Sequence, residues 1–366
     1  MLSSEKIVET VAGISDLDQA AMGAARSRQD SLTKPQGSLG VLEALAIRVA
    51  GIMGQAKPRI GRKVIITAAA DHGVAEEGVS AYPQEVTAQM VQNFLRGGAA
   101  INVLARHAGA EVIVVDAGVA VELEPTTGLI SVKLAKGTVN IARGPAMQRE
   151  NAIRIVEEGI ALAQQEVAKE ADIIGTGDMG IANTTAASAV IAALSRQSPW
   201  LTTGRGTGIG DVQYRKKLSV VESALKLNRP DPSDALDVLS KVGGYEIGFL
   251  AGVILGTAAS KRPVVLDGFI SGAAAMIANG LAPRVKRYLF ASHRSAEIGH
   301  RIMLERLTLE PLLDFGMRLG EGTGAALGMT IIEAAVKCLT EMSTFEEAGV
   351  SGKEGAPRRE SVRPRA

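Results

Sequence analysis

One pattern recurs along the chain and constrains its fold more than any other feature. A short apolar run, often β-branched, ends in a glycine and a polar residue, and a helical stretch follows; the runs are KVIITAAADHG (63–73), EVIVVDAG (111–118), ADIIGTGDMG (171–180), RPVVLDG (262–268) and, without the glycine, RYLFASH (287–293). Strands that alternate with helices predict βαβ units and a parallel sheet. Runs this continuously apolar are typical of a sheet covered on both faces. We therefore expect an α/β fold with a doubly wound, mainly parallel, Rossmann-like sheet and helices on both faces.

The segments between the predicted strands have the spacing of apolar residues that is typical of helices. This spacing predicts helices over residues 84–107, 147–168, 215–227, 244–260, 269–280 and 323–342. One further segment, GLISVKLAKG (128–137), alternates between apolar and polar residues and predicts an edge strand.

The two ends of the chain depart from this pattern. Residues 1–60 show no convincing strand, and the last stretch, GVSGKEGAPRRESVRPRA, combines glycine, proline and charge without an apolar pattern. We predict a main α/β domain over residues 61–295, a small helical subdomain over 1–60 plus 296–344 that completes the functional site, and a disordered tail over 345–366.

Composition excludes several classes of protein. A net charge of +1 over 366 residues argues against a nucleic-acid partner, and 3% aromatic residues weigh against stacking on single strands. One cysteine rules out an intrachain disulfide and suits a reducing compartment. The first twenty residues contain acids and no uninterrupted apolar stretch, unlike a signal peptide, and IGFLAGVILGTAA is too short to span a bilayer. We expect a cytoplasmic protein that binds no membrane.

Polar side chains collect at the carboxyl ends of the predicted strands. In an open parallel sheet, ligands bind outside these ends. The ends carry Asp71 with His72, Asp116, Asp178, Asp267, and Ser292 with His293. Each of these residues could instead cap the helix that follows it, but their concentration points to a functional site at this edge.

Two glycine loops are candidates for an anion site. Gly175, Gly177 and Gly180 spell G-x-G-x-x-G between a strand and a helix, as in dinucleotide-binding proteins. That fingerprint also needs an acidic residue about 20 positions later, and SRQSPWLTT (195–203) contains none. A loop whose helix opens with Asn183 and Thr184 still suits a phosphate-bearing ligand.

The second loop, TGRGTGIG (203–210), lies just before Lys216 and Lys217. Lysines at a helix start are often solvated, but beside a glycine loop they are candidates for a phosphate-binding charge. The four histidines lack the spacing of metal ligands, and neither a G-x-S-x-G elbow nor a P-loop occurs. We predict no metal, and serine-hydrolase and P-loop kinase activities have no support.

Glu321 stands between Gly320 and Gly322 in MRLGEGTGAALG (317–328), just before a predicted helix. One interpretation is electrostatic, since an acid at a helix start is worth about 0.3–1 kcal/mol against the helix dipole. The other is chemical: the glycines leave the carboxylate accessible to a flat ligand, and a partly apolar setting tunes its pKa towards use as a general base. The residues alone leave both interpretations open.

Eight segments together resemble one family. LTKPQGSLG, ADHGVAEEGVSAYPQEVTAQMVQNFLRGGAAINVLAR, VDAGV, GTGDMGIANTTAA, GRGTG, GGYEIGFLAGVILGTAASKRPVVLDGFISGAAA, SHRSAE and MRLGEGTGAALG resemble, in order, the nicotinate-nucleotide–dimethylbenzimidazole phosphoribosyltransferase family. The resemblance implies that nicotinate mononucleotide and 5,6-dimethylbenzimidazole give α-ribazole 5'-phosphate, the precursor of the lower ligand of cobalamin, and nicotinate. It also implies a homodimer that uses no metal or organic cofactor.

The resemblance assigns roles to individual residues. Glu321 corresponds to the catalytic base, and Ser80, Tyr82, Gln89 and Leu319 to the pocket of the flat base. The phosphate and ribose would be surrounded by Gly180, Asn183, Thr184, Gly204, Gly206, Lys217 and Ser292. Asp178 stands where the family often has glutamate, so its shorter side chain makes an auxiliary catalytic role doubtful. Two alternatives stay open: an NAD-dependent oxidoreductase that uses GTGDMG, and a non-catalytic protein that binds benzimidazoles or nucleotides.

Overall fold

The computed structural model describes residues 4–351, and its centre is one parallel sheet. The strands are β1 (Arg62–Ala70), β2 (Ala110–Gly118), β3 (Leu129–Ser131), β4 (Ala171–Met179), β5 (Val264–Leu266) and β6 (Leu289–Ala291), in the order β3-β2-β1-β4-β5-β6. Each neighbouring pair is parallel. The chain builds one half of the sheet outward from β1, returns, and builds the other half from β4. This is the doubly wound Rossmann order, so the predicted α/β fold is confirmed.

Helices precede, connect and follow the strands. They are α1 (Glu5–Gly13), α2 (Gln19–Ser31), α3 (Val41–Met53), α4 (Glu85–Leu95), α5 (Ala100–Ala108), α6 (Arg149–Ala168), α7 (Asn183–Ser195), α8 (Pro199–Thr202), α9 (Asp211–Asn228), α10 (Ala235–Val242), α11 (Tyr245–Ala259), α12 (Phe269–Leu281), α13 (Gly299–Leu307), α14 (Thr323–Glu341) and α15 (Phe345–Ala348). Gly73–Glu77 and Pro283–Tyr288 form 3₁₀ turns.

Three local predictions need correction. The single helix expected over 84–107 is two helices, because Gly97 takes φ = +77°, which a helix cannot continue. Of the edge strand expected over 128–137, three residues pair with β2. The expected tail begins with a helical turn, α15, in which Thr344 Oγ1 accepts the N–H of Glu347 at 3.1 Å. The remainder of that prediction, 352–366, lies outside the described residues.

The described chain groups into two compact units whose bounds differ from the predicted domains. One unit comprises residues 4–17 and 60–333 and contains the whole sheet; the other comprises 18–59 and 334–351. Residues 4–17 group with the unit that contains the sheet, since α1 packs on α6 and α11 and its Ile7 is fully buried. Residues 299–307 also belong with it, since α13 packs on α7 and α12. A contribution of the helical unit to the functional site stays a prediction.

Helix α14 lies against β4, and glycines make this contact close. A Cβ added to Gly175 would lie 2.9 Å from Met329 Cε and 3.1 Å from Ala325 Cβ. Within residues 4–351, α14 is the one helix that is long and apolar enough to cross a membrane by length and composition. More than half of its apolar stretch, 56%, is buried inside the fold. A core helix of a folded domain meets the same criterion.

Helices α6 and α11 cross at glycines, which allows a stability prediction. A Cβ at Gly252 would lie 2.8 Å from the carbonyl carbon of Val156 and 3.0 Å from the Cα of Gly159. We expect Gly252→Ala to lower the free energy of unfolding by about 1–3 kcal/mol, because the two backbones must separate. Urea denaturation measures this, with Gly144→Ala as control, since a Cβ there meets nothing within 4 Å. Equal stability of the two variants would contradict the packing described.

Candidate functional site

The candidate site lies at the carboxyl ends of β1 and β4, where the order in which the chain adds strands to the sheet reverses. These two strands are neighbours, and the chain leaves them towards opposite edges of the sheet. Such a switch point leaves a crevice between the two connections, which is where open α/β sheets bind ligands. The loop 317–322, which precedes α14, hydrogen-bonds to both of these strands and to Asp267, the residue after β5.

Glu321 lies in this loop in a conformation that L residues rarely adopt. Its φ is +65°, between Gly320 at +87° and Gly322 at +100°. Its N–H donates to the carbonyl of Asp178 at 3.1 Å, and its own carbonyl accepts the hydroxyl of Thr67 at 2.8 Å. Backbone strain of this kind persists only where the surroundings hold it, and it clusters at functional sites.

The carboxylate of Glu321 is buried rather than open, contrary to the expectation from its flanking glycines. The residue is 5% exposed, and Oε2 accepts the backbone N–H of Ile101 at 3.2 Å. Burial raises the pKa of Glu321 above its ordinary value, and the Ile101 hydrogen bond lowers it by a smaller amount. A carboxylate with a raised pKa holds a proton more firmly once it has taken it, which suits a general base.

Two further buried carboxyl groups accompany Glu321. Burial raises the pKa of Asp267 to about 7, against hydrogen bonds from the backbone N–H groups of Gly322 and Gly324. Burial, followed by the negative charges of Asp267 and Glu246, raises the pKa of Asp178 well above its ordinary value. The raised pKa favours the protonated form of Asp178. Its Oδ2 lies 3.0 Å from Asn183 Nδ2, and its Oδ1 has no hydrogen-bond partner among the described residues.

The second glycine loop surrounds a buried cation. Lys217 is fully buried, and its Nζ donates to the hydroxyl of Thr184 at 2.8 Å. A Cβ added to Gly206 would lie 2.9 Å from that Nζ. Burial lowers the pKa of Lys217 to about 8, and the Glu297 carboxylate acts in the opposite direction. An ammonium group, a hydroxyl and bare backbone thus converge at the start of α7, an arrangement that binds anions.

Ser292, a further predicted member of this set, follows β6, and its hydroxyl donates to the carbonyl of Asp267 at 3.0 Å. Gly204 also belongs to it: a Cβ there would lie 3.0 Å from Glu297 Cδ. Gly180 packs against β1, because a Cβ there would lie 3.5 Å from the carbonyl carbon of Ala70. Contacts thus connect Lys217, Thr184 and Gly206 with one another, and Ser292 with Asp267.

The residues predicted to line a flat pocket lie at the rim. Tyr82 is 56% exposed and Leu319 is 58% exposed, Gln89 is exposed and Ser80 is half-buried. Hydrogen bonds tie both segments to the second glycine loop: the N–H of Ala81 donates to Thr207 Oγ1 at 3.0 Å, and Arg318 donates to the carbonyl of Gly206 at 2.9 Å. Gln89 has no such tether among the described residues.

The G-x-G-x-x-G glycines serve packing rather than an open dinucleotide loop. Gly175 faces α14, Gly180 faces β1, and a Cβ on Gly177 would lie 2.8 Å from the backbone nitrogen of Gly322. Protein backbone or side chain therefore occupies the space that a pyrophosphate would need. The NAD-dependent oxidoreductase alternative loses the feature on which it depended.

The remaining strand-end residues have partners of their own. Asp116 pairs with Lys133 at 2.9 Å, away from the crevice. His72 Nε2 lies 2.8 Å from Glu246 Oε1 in the core. Burial by itself would lower the pKa of His72, but the adjacent Glu246 carboxylate raises it above its ordinary value. The sequence did not indicate Thr67, Glu246 or Arg318 as part of this region, because no local pattern marks them.

Comparison with known proteins gives one consistent family. The phosphoribosyltransferase family model DBI_PRT matches residues 14–350. A nicotinate-nucleotide–dimethylbenzimidazole phosphoribosyltransferase from Roseiflexus sp. (strain RS-1) is 60% identical over 345 residues, which are 94% of this chain and 98% of the relative. One from Geotalea uraniireducens (strain Rf4) is 57% identical over 94% of this chain and 97% of the relative.

A solved structure has the same fold. The crystal structure of CobT from Thermus thermophilus superposes with a TM-score of 0.88 at 49% identity, and the match covers 91% of this chain and 99% of that protein. No group of three or more histidine, cysteine or acidic side chains that could hold a metal occurs within residues 4–351.

Proposed function

Because this chain belongs to the DBI_PRT phosphoribosyltransferase family, we propose that it transfers the phosphoribosyl group of nicotinate mononucleotide to 5,6-dimethylbenzimidazole. The products are α-ribazole 5'-phosphate and nicotinate. The observation that carries the proposal is the placement of a buried carboxylate, Glu321, and a buried cation, Lys217, around one crevice at the switch point of the sheet.

The transfer reaction needs few catalytic groups beyond the Glu321 carboxylate and the Lys217 ammonium group. Nicotinate is attached to the ribose as a pyridinium, so it takes the electron pair of the glycosidic bond and leaves without a general acid. One benzimidazole nitrogen attacks the anomeric carbon from the opposite face, and the β configuration becomes α. The second nitrogen then loses its proton to Glu321. A base positioned in this way contributes about 10²–10⁴-fold to the rate.

The phosphate end of the donor fits the second glycine loop. We assign the phosphate and ribose to Gly180, Asn183, Thr184, Gly204, Gly206, Lys217 and Ser292. The support is that Lys217 and Thr184 already hydrogen-bond to each other beside Gly206, where the bare backbone lets an anion approach. Asp178, whose raised pKa favours its protonated form, is assigned as a candidate hydrogen-bond donor towards the substrate rather than as a second base.

The benzimidazole is assigned to Ser80, Tyr82, Gln89 and Leu319. The support is the pair of hydrogen bonds that tether Ala81 and Arg318 to the second glycine loop, next to the phosphate assignment. The exposed faces of Tyr82 and Leu319 offer apolar surface to a flat ring.

Incubation of the purified protein with both substrates tests the activity. We expect α-ribazole 5'-phosphate and nicotinate in equal amounts by chromatography, and none when dimethylbenzimidazole is omitted. Binding of both substrates without product over a long incubation would favour the non-catalytic alternative and contradict the proposal. A panel of other benzimidazoles, purines and phenols with the same donor then defines the preferred base.

Two further assignments are part of the proposal. A homodimer in the cytoplasm, without metal or organic cofactor, nucleic acid or membrane, is what membership of the family leads us to expect. Sedimentation velocity at micromolar concentration distinguishes a dimer from a monomer of 38.0 kDa.

A further inference from the structure

We infer that Asp267 is a positioning residue that holds Glu321 in its reactive geometry; this inference rests on the proposed role of Glu321 as general base. Asp267 follows β5 and is 1% exposed. Its Oδ2 accepts the N–H of Gly322 at 3.0 Å, and its Oδ1 accepts the N–H of Gly324 at 2.6 Å. Both oxygens are therefore committed to the backbone immediately after Glu321.

The loop needs such a constraint because its own conformational preference is weak. Three successive residues, 320 to 322, have positive φ, and two of them are glycines that move freely among conformations. Glu321, as an L residue, disfavours the left-handed region that it occupies. Without hydrogen bonds from outside, the segment would relax and carry the carboxylate with it.

The bonds come from strands β1 and β4 and from the residue that follows β5. The hydroxyl of Thr67, in β1, donates to the carbonyl of Glu321. The N–H of Glu321 donates to the carbonyl of Asp178, in β4. Asp267, after β5, supplies a carboxyl group whose two oxygens each accept one backbone N–H of the loop. A Cβ at Gly324 would lie 2.8 Å from Asp267 Oδ1, so the backbone of Gly324 packs directly against the Asp267 side chain.

Asp267 also connects the proposed base to the proposed donor site. Its carbonyl accepts the hydroxyl of Ser292 at 3.0 Å, while its side chain holds the Glu321 loop. A catalytic group displaced by about 1 Å can lose about 10²-fold in rate. A change of the Asp267 side chain loosens the Glu321 loop but leaves the carbonyl bond to Ser292 in place, so it should act on turnover rather than on binding of nicotinate mononucleotide.

Asp267→Asn, Glu321→Gln and the double variant test the inference. The amide keeps an acceptor for one N–H and turns an NH₂ group towards the other. We expect Asp267→Asn to lower kcat by about 10–100-fold, with KM for nicotinate mononucleotide little changed. In the Glu321→Gln background the same substitution should have almost no further effect, because residues that act as one unit are not additive.

The control is Asp234→Asn, which changes a carboxylate that accepts the N–H groups of Leu236 and Asp237 at the start of α10. It should leave kcat within about twofold, as expected of a change away from the site. If thermal denaturation shows that Asp267→Asn is not folded, Thr67→Val takes its place in the comparison with Glu321→Gln, because it removes another hydrogen bond to the same loop.

The outcomes separate this inference from the proposed function. An equal loss of kcat from Asp267→Asn in both backgrounds would show that Asp267 acts independently of Glu321 and would overturn the inference alone. Wild-type kcat in folded Asp267→Asn would do the same. Wild-type kcat in Glu321→Gln would instead remove the general-base role, and the inference with it.

Discussion

Replacing Glu321 by glutamine should lower kcat by about 10²–10⁴-fold, which is about 3–5 kcal/mol of activation free energy. The amide has the size of the carboxyl group and can still accept the N–H of Ile101. It cannot take the benzimidazole proton. Because we assign the phosphate to Lys217 and not to Glu321, KM for nicotinate mononucleotide should stay within a few-fold of the wild type. Steady-state kinetics with both substrates varied measures the two effects separately.

The matched control for this variant is Glu222→Gln, a change of the same kind on the exposed face of α9. It should leave both constants unchanged. A kcat for Glu321→Gln close to that of the wild type would exclude Glu321 as the base, whatever the effect on KM.

Replacing Lys217 by methionine should lower kcat/KM for nicotinate mononucleotide by about 10–100-fold. Methionine keeps a similar length but removes the ammonium group, and a hydrogen bond to a charged partner is worth about 1.5–3 kcal/mol. The neighbouring Lys216 is exposed, so Lys216→Met is the control and should change this constant little. Isothermal titration with the donor alone provides an independent measurement of affinity. Equal effects of the two substitutions would contradict the assignment of Lys217 to the phosphate.

The same lysine predicts a pH dependence. Burial lowers the pKa of Lys217 to about 8, so the free protein carries the positive charge below that pH and loses it above. Affinity for the phosphate should therefore fall as pH rises from 7 to 9, and this fall should be absent in Lys217→Met. An ordinary exposed lysine would stay charged over the whole range.

The sheet could be predicted from the sequence because its strands are continuous apolar runs between glycines. Each of the six strands overlaps a predicted segment, and β1 and β2 each begin one residue before theirs. The break between α4 and α5 was missed because Gly97 and Gly98 stand inside a longer helical periodicity, and a glycine there is compatible with either outcome. The compact units differ from the predicted domains because α1, which carries the buried Ile7, packs on α6 and α11, which are distant in sequence.

The site was predicted less completely, for a related reason. Glu321 stood out through its glycines, but the hydroxyl of Thr67 that holds it is 254 residues away. The glycines of GTGDMG were interpreted first as a nucleotide loop, whereas Gly177 makes room for the backbone of Glu321 and Gly322. Lys216 and Lys217 are adjacent in sequence, and only the packing of α9 determines that Lys217 is the buried one. Local patterns identify unusual residues, but long-range contacts determine what surrounds them.

Chemical rescue tests most directly the claim that one buried carboxylate at position 321 takes the proton. Glycine accepts the backbone conformation of this residue at φ = +65°, so Glu321→Gly removes the carboxylate with little strain and leaves space for a small acid. We predict that this variant turns over slowly with nicotinate mononucleotide and dimethylbenzimidazole, and that added formate raises its rate saturably while leaving the wild type unchanged. Wild-type turnover by Glu321→Gly in the absence of any added carboxylate would contradict the claim.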